Sequence, residues 1–159
     1  MNIWVDADAC PKAVKAVLYR AANRTQTPTT LIANHYLKPP PSRWLRALQV
    51  PQGFDVADDE IIGRVAAGDL VVTADVPLAD AVIDRGALAL NPRGTLYTAE
   101  NIKAIKARRD HTETLRGAGL VQGGGPAALS NVDVQLFANA LDRLLTQAQR
   151  ERPPRETQE

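Results

Sequence analysis

Several residue types and patterns are scarce in this 159-residue chain, and each scarcity excludes a class of protein. The single cysteine, Cys10, excludes an internal disulfide and is typical of a protein from a reducing compartment. No apolar run approaches the ~20 residues of a membrane-spanning helix, so we expect no membrane association. No basic segment followed by an apolar stretch stands at the N-terminus, which argues against a signal peptide and for a cytoplasmic location. Aromatic residues make up only 4% of the chain, so aliphatic side chains must fill the core.

Acidic residues are absent from residues 9–54, a segment that carries seven basic ones. These are Lys12, Lys15, Arg20, Arg24, Lys38, Arg43 and Arg46. Residues 55–84 reverse the balance, with eight acids against Arg64 alone. This asymmetry is typical of an acidic pocket beside a basic surface, although segments that interleave in space would mix the charges. Trp44 lies among the basic residues, so this segment predicts either a surface for single-stranded nucleic acid or a solvated loop.

Strand-like and helical patterns alternate over the first 90 residues. The predicted elements are strand Asn2–Asp6, helix Pro11–Asn23, strand Thr29–Ala33, a short helix capped by Ser42, a short strand Val50–Val56, helix Ala57–Ala67, strand Leu70–Thr73, helix Pro77–Arg85 and strand Ala87–Leu90. Only helices are predicted afterwards, one capped by Thr98 and a last one after Ser130-x-x-Asp133. The alternation predicts a three-layer α/β/α fold with a mostly parallel sheet. We expect one domain, residues 1–148, and a disordered polar tail, residues 149–159.

Two of the predicted strands end in aspartate. Asp6 ends the first strand, and Asp75 follows the strand Leu70–Thr73. Since ligands of parallel sheets bind beyond the carboxyl ends of the strands, these acids mark the place to look for chemistry. If the first strand stays extended through Asp8, then Asp6 and Asp8 point the same way, because side chains alternate along a strand.

The helix predicted from Ala57 brings two more acids toward that edge. Asp58 lies in the middle of the apolar stripe of this helix and Asp59 at its flank. Ordinary interactions at a helix N-terminus explain one or two such acids without any metal. They do not explain why Asp6, Asp8 and Asp75 gather at strand ends.

Carboxylates that converge repel each other and have raised pKa values unless a cation is present. Mg²⁺ or Mn²⁺ suits such oxygen ligands, and the predicted ligands are Asp6, Asp8, Asp58, Asp59 and Asp75. Magnesium-type sites commonly serve phosphoryl chemistry, so a hydrolase acting on phosphodiesters is the leading interpretation.

Several longer motifs resemble the YaiI/YqxD family of uncharacterised bacterial proteins. They are Val5-Asp6-Ala7-Asp8-Ala9-Cys10-Pro11, the segment Gly53 to Asp59, the segment Gly68 to Asp75, Asn91-Pro92-Arg93-Gly94, Leu115-Arg116 and Gly123-Gly124-Gly125-Pro126. The resemblance covers the chain up to about Leu145. Because the family is considered a distant relative of PIN-like and NYN-like nuclease domains, it implies a PIN-like fold and a metal-dependent ribonuclease-like site. The core acids it implies are Asp6, Asp58 or Asp59, and Asp75, with Asp80 nearby.

The predicted substrate contacts surround these acids. Thr73 is similar to a polar position found in PIN-like domains, and Asn34 follows the second strand at the same edge. Lys12 and Arg43 belong to the basic segment. Arg109 falls on the apolar stripe of its helix, where it either pairs with a core acid or reaches a phosphate. Together they predict single-stranded RNA as the partner; the oligomeric state stays open.

Two other functions compete with the nuclease. One is a non-catalytic module that binds nucleic acid or protein and whose acids hold a structural ion. The other is a phosphatase of the haloacid-dehalogenase type, which the Asp6-x-Asp8 pattern resembles, although Cys10 stands where that family has Thr or Val. Cys10 itself, before Pro11 at a helix N-terminus, is either a nucleophile or a small buried residue.

Overall fold

The computed structural model describes residues 1–53, 55–107 and 128–151. The strands are β1 (Ile3–Asp6), β2 (Thr29–Ala33), β3 (Leu45–Gln49), β4 (Leu70–Val72), β5 (Leu88–Leu90) and β6 (Leu96–Tyr97). The helices are a short 3₁₀ helix (Ala7–Ala9), α1 (Lys12–Thr25), α2 (Val56–Arg64), α3 (Val76–Asp84), α4 (residues 101–107) and α5 (Asn131–Glu151). Within the described residues, no helix is long and apolar enough to cross a membrane.

The strands form one sheet in the order β3-β2-β1-β4-β5-β6. All neighbours pair in parallel except β5 and β6, which are antiparallel. The carboxyl ends of β1 to β5 therefore lie along one edge, here called the carboxyl edge, and their amino ends along the opposite, amino edge. The predicted α/β class with a mostly parallel sheet is confirmed.

Each face of the sheet packs against its own helices, which gives the three layers. Ile3 and Val5 of β1 join a core formed with α1 and α5, whose largest buried side chain is Phe137. Trp4 points to the other face and packs with side chains of α2 and α3. Because successive residues of a strand alternate between faces, a doubly covered strand must be apolar throughout, as β1 and β4 are.

The third strand was predicted in the wrong place. The structure places β3 at Leu45–Gln49, where it pairs with the whole of β2, and not at Val50–Val56. The short helix predicted after Ser42 is absent, since Ser42 and Trp44 lie in the turn that leads into β3. Long-range pairing with β2 selects this register, while local propensity favours neither alternative. β6 was also missed, because two residues carry no periodic pattern.

The ends of the later helices follow their local signals. Thr98 and Asn101 exchange side-chain-to-backbone hydrogen bonds of 2.8 and 3.0 Å at the start of α4. Ser130 and Asp133 do the same at the start of α5. α5 runs to Glu151, so the first three residues of the predicted tail are helical. Residues 152–159 lie outside the described residues, as do Arg109, Leu115-Arg116 and the Gly123–Pro126 segment.

Candidate functional site

The chain reverses its direction of travel across the sheet between β1 and β4. From β1 it proceeds outward to β2 and β3, and it then returns to place β4 on the other side of β1. In open parallel sheets the crevice beyond the carboxyl ends of two such strands is the usual ligand site. Asp6 ends β1, and Thr73 to Asp75 follow β4, so these residues flank that crevice.

Thr73 links the two acids that leave these strands. Its hydroxyl donates to Asp6 Oδ2 at 2.9 Å and accepts from the backbone N–H of Asp75 at 2.9 Å. Asp75 caps α3, where its Oδ1 accepts from the backbone N–H of Leu78 at 3.0 Å. Asp6 is only 9% exposed and Thr73 only 1%, so this arrangement is fixed inside the protein. The structure thus brings together two of the predicted catalytic acids and the predicted polar contact Thr73.

Asp58 of α2 completes the cluster from the helical layer. Burial raises its pKa from the ordinary 3.8 to about 6, and the negative charges of Asp75, Asp6 and Asp55 raise it further, as does a hydrogen bond with the Asp75 side chain. Burial also raises the pKa of Asp6; the Thr73 hydrogen bond opposes this rise, and the charges of Asp75 and Asp8 add to it. Acids from three elements therefore interact at one point, which is here called the acidic cluster: Asp6, Asp58 and Asp75.

Asp8 does not lie beside Asp6 as the extended-strand argument expected. β1 ends at Asp6, and the 3₁₀ helix Ala7–Ala9 turns the chain. The Asp8 carboxylate instead accepts from the backbone N–H of Asn34 at 2.8 Å and lies 2.6 Å from His35 Nδ1. Asn34 is thereby placed at the carboxyl edge, as predicted. Asp8 ties the β1–α1 turn to the end of β2, and it influences the acidic cluster only through its charge.

The other predicted acids and bases differ in their relation to the cluster. Asp59 is exposed on α2, one residue from Asp58. Asp80 lies 3.5 Å from Lys106 Nζ in an ion pair between α3 and α4. Lys12 is exposed in the first turn of α1, which begins at the carboxyl edge. Arg43 lies before β3 at the amino edge, so the structure does not bring it to the acidic cluster.

The acidic cluster is not a closed metal cage. Among residues 1–53, 55–107 and 128–151, no group of three or more His, Cys, Asp or Glu side chains is arranged to hold a metal ion. Asp75 Oδ1 is already engaged in capping α3, and Asp6 Oδ2 accepts from Thr73. The cluster offers partly engaged carboxylates, which is an open arrangement of oxygen donors.

A cavity of about 520 Å³ adjoins the acidic cluster at the crevice. Ala9 and Pro11 line it from the β1 side and Ala74 from the β4 side. The turn after β5 contributes Asn91, Pro92 and Arg93, and the segment before α5 contributes Ala128 and Leu129. Arg93 Nη1 donates to Asp133 Oδ2 at 2.6 Å, which fixes a guanidinium at the wall of the cavity. The sequence argument did not identify Arg93 as a site residue, and only its place in a turn signal marked it.

Two residues with possible chemistry turn out to be structural. Cys10 is buried, and burial raises the pKa of its thiol to about 12, so it is a core residue and not a nucleophile. Asp69 was counted only as one acid among many. It is 5% exposed at the amino edge, where its carboxylate accepts from Trp4 Nε1 at 3.0 Å and from the backbone N–H groups of Asn2 and Ala66.

Known proteins similar to this chain carry no assigned activity. The model of a family described as "Uncharacterized BCR, YaiI/YqxD family" matches residues 4–147. A UPF0178 protein of Shewanella amazonensis is 61% identical over 145 residues, which are 91% of this chain and 97% of that protein. A UPF0178 protein of Pseudoalteromonas translucida is 59% identical over 147 residues, 92% of this chain and 97% of that protein. No solved structure matches the chain. With a family model spanning nearly the whole sequence and relatives of this identity, the chain belongs to the YaiI/YqxD family.

Proposed function

We propose that this protein is a divalent-cation-dependent hydrolase that cleaves phosphodiester bonds of single-stranded RNA at the acidic cluster, in the cytoplasm. The observation that carries the proposal is the convergence of Asp6, Asp58 and Asp75 from three separate elements at the crevice between β1 and β4. Burial and mutual repulsion raise the pKa values of Asp6 and Asp58, so the folded protein carries an electrostatic conflict there. A cation removes such a conflict, and strongly perturbed acids in a cleft are typical of functional sites.

Mg²⁺ or Mn²⁺ fits the chemistry of these donors. Mg²⁺ is commonly held by one or two carboxylates, with waters and substrate phosphates as the remaining ligands. The open arrangement of the acidic cluster suits this mode, and it does not suit a closed cage such as a structural zinc site. Asp6 and Asp75 would hold the ion, with Asp58 beside them; when bound, the ion would activate water and stabilise the leaving oxygen.

The protein's own residues prepare this site. Thr73 holds Asp6 in one orientation and at the same time fixes the backbone of Asp75. Because both contacts are buried, the two carboxylates keep their relative positions without a ligand, which reduces the reorganisation that binding requires. The adjoining cavity of about 520 Å³ offers room for a nucleotide beside the cluster, with Arg93 at its wall.

The test is cleavage of end-labelled single-stranded RNA of mixed sequence in the presence of Mn²⁺ or Mg²⁺. We expect cleavage by the wild type and a loss of about 100-fold or more in Asp6→Asn and Asp75→Asn, since even residues that only orient a metal ligand affect activity by about 10–100-fold. Asp84→Asn is the matched control, because Asp84 is an exposed acid at the far end of α3. An intact substrate with either ion, or equal activity in all three variants, would contradict the proposal.

A second candidate is a non-catalytic module that binds RNA. It is favoured by the lack, within the described residues, of three side chains already arranged around a metal position. In that case RNA binding persists in Asp75→Asn and no ion supports turnover. The phosphatase interpretation has no comparable support, since Asp8 is turned away toward Asn34 and His35.

A further inference from the structure

A second cavity, of about 280 Å³, lies at the amino edge, at the opposite end of the strands from the acidic cluster. Its lining comes from the start of β2, with Pro28, Thr29 and Thr30, and from the start of β3, with Arg43, Trp44 and Arg46. No acidic residue lines it, and two of the six lining residues are arginines. Neither pairs with a carboxylate among the residues that the structure describes. This cavity is here called the arginine cavity.

Both arginines are held in place by neighbouring groups. Arg46 Nε donates to the hydroxyl of Thr30 at 2.9 Å, and Thr30 is only 5% exposed. The guanidinium of Arg43 stacks over the ring of Trp44 at 4.9 Å from the ring centre. The Trp44 backbone is fixed in turn, since its carbonyl accepts from Thr29 N at 2.8 Å and its N–H donates to Ser42 Oγ at 3.1 Å. Two positive groups are thus presented on a rigid frame with their charges uncompensated.

This composition points to a phosphate group of a polymer with bases attached. Guanidinium groups bind phosphate oxygens in a fixed fork geometry. An aromatic ring with a stacked arginine is a typical platform for the bases of single-stranded nucleic acid. A volume of about 280 Å³ has room for a phosphate and part of a nucleotide but not for a duplex.

The strand register relates the arginine cavity to the acidic cluster. Arg46 pairs with Thr30, and Thr30 pairs with Trp4, two residues before Asp6. Arg46 and Asp6 therefore lie on the same face of the sheet, about 12 Å apart from two strand spacings and two residues of rise. One strand of nucleic acid is long enough to reach both places.

We infer that the arginine cavity is a second binding site for the backbone of single-stranded nucleic acid, separate from the acidic cluster. It extends the proposed function by adding a contact for the same polymer, but its test does not depend on cleavage. Arg43 and Arg46 contact the phosphates, and Trp44 with its stacked arginine supports a base.

The experiment measures binding of a fluorescently labelled short oligouridylate to the full chain in EDTA, by anisotropy, over a range of salt concentrations. We expect Arg43→Gln and Arg46→Gln each to weaken binding by about tenfold, as for the loss of a charge-assisted contact. Each should also reduce the log–log salt slope by about 0.7, the value for one phosphate of a single strand. Arg24→Gln is the control for charge alone, since Arg24 is exposed on α1 and pairs with Asp142; we expect a change below about twofold.

Tryptophan fluorescence locates the bound strand independently. The chain has two tryptophans, and Trp4 is 6% exposed in the core, so a bound base should quench Trp44. We expect oligouridylate to quench the wild type and Asp6→Asn alike, and Trp44→Phe not at all. Equal weakening by Arg24→Gln, unchanged binding in Arg43→Gln and Arg46→Gln, or equal quenching by inorganic phosphate would each overturn the inference. Binding that depends on these arginines in a protein without nuclease activity would uphold it and refute only the proposed function.

Discussion

The replacement Asp58→Asn should stabilise the protein at neutral pH, although it removes a candidate site residue. The pKa of Asp58 is raised from 3.8 to about 6 in the folded protein, mainly by burial and then by the charges of Asp75 and Asp6. The folded state therefore binds more protons than the unfolded state between these values, and the free energy of unfolding falls as pH rises from about 4 to 6. The gap corresponds to about 3 kcal/mol, and because Asp58 is only partly buried, screening by solvent reduces the expected effect to about 1 kcal/mol.

Urea unfolding followed by circular dichroism, in EDTA at pH 4 and pH 7.5, measures this difference. We expect Asp58→Asn to exceed the wild type by about 1 kcal/mol at pH 7.5 and to equal it near pH 4, where Asp58 is protonated in the folded protein. Asp59→Asn is the matched control, because Asp59 is exposed one residue away in the same helix. It should stay within about 0.5 kcal/mol of the wild type at both pH values. An equal gain in both variants, or a gain that persists at pH 4, would refute the electrostatic reasoning.

Three further substitutions test the frame around the site. Thr73→Val should lower the free energy of unfolding by about 1–3 kcal/mol, because it leaves a buried carboxylate without its donor, whereas Thr73→Ser should keep most of the stability; chemical denaturation compares the two. Asp69→Asn should cost about 2 kcal/mol or more, since an amide replaces one of the two oxygens that accept buried N–H groups; a loss below about 0.5 kcal/mol in the same assay would contradict this role. Gly94→Ala should be more destabilising than Gly68→Ala in thermal melts: both glycines have positive φ, but a Cβ at Gly94 would lie 2.7 Å from the backbone of α5, while at Gly68 it meets open space. Equal melting temperatures for the two alanine variants would show that α5 yields to the added methyl group.

Local signals in the sequence predicted most of the architecture. β2 was predicted at its observed bounds, and α3 within one residue, because apolar runs, proline and glycine mark their ends. β3 was misplaced because its position depends on pairing with β2 and not on its own residues. Two-residue β6 pairs antiparallel with β5 and has too few residues for any period to be read.

The candidate site was predictable in its residue types but not in its contacts. That acids follow β1 and β4 is visible in the sequence, and the parallel order of the strands brings Asp6 and Asp75 together. The hydrogen bond from Thr73 to Asp6 joins residues 67 positions apart, so no local pattern reveals it. Asp8 was misjudged because a single 3₁₀ turn after β1 changes its direction. Arg43 shares a basic segment with Lys12 in sequence, but the sheet places it at the opposite edge.

The most direct test of the central claim is Mn²⁺ binding to the full chain, measured by calorimetry and by the loss of the free-ion signal in electron paramagnetic resonance. The wild type and Asp84→Asn should bind Mn²⁺ with equal affinity, and Asp6→Asn should bind at least about tenfold more weakly, since it removes the most buried carboxylate of the acidic cluster. Mg²⁺ should compete for the same site. Failure of the wild type to take up Mn²⁺, or equal uptake by Asp6→Asn, would contradict the claim that the acidic cluster holds a divalent cation.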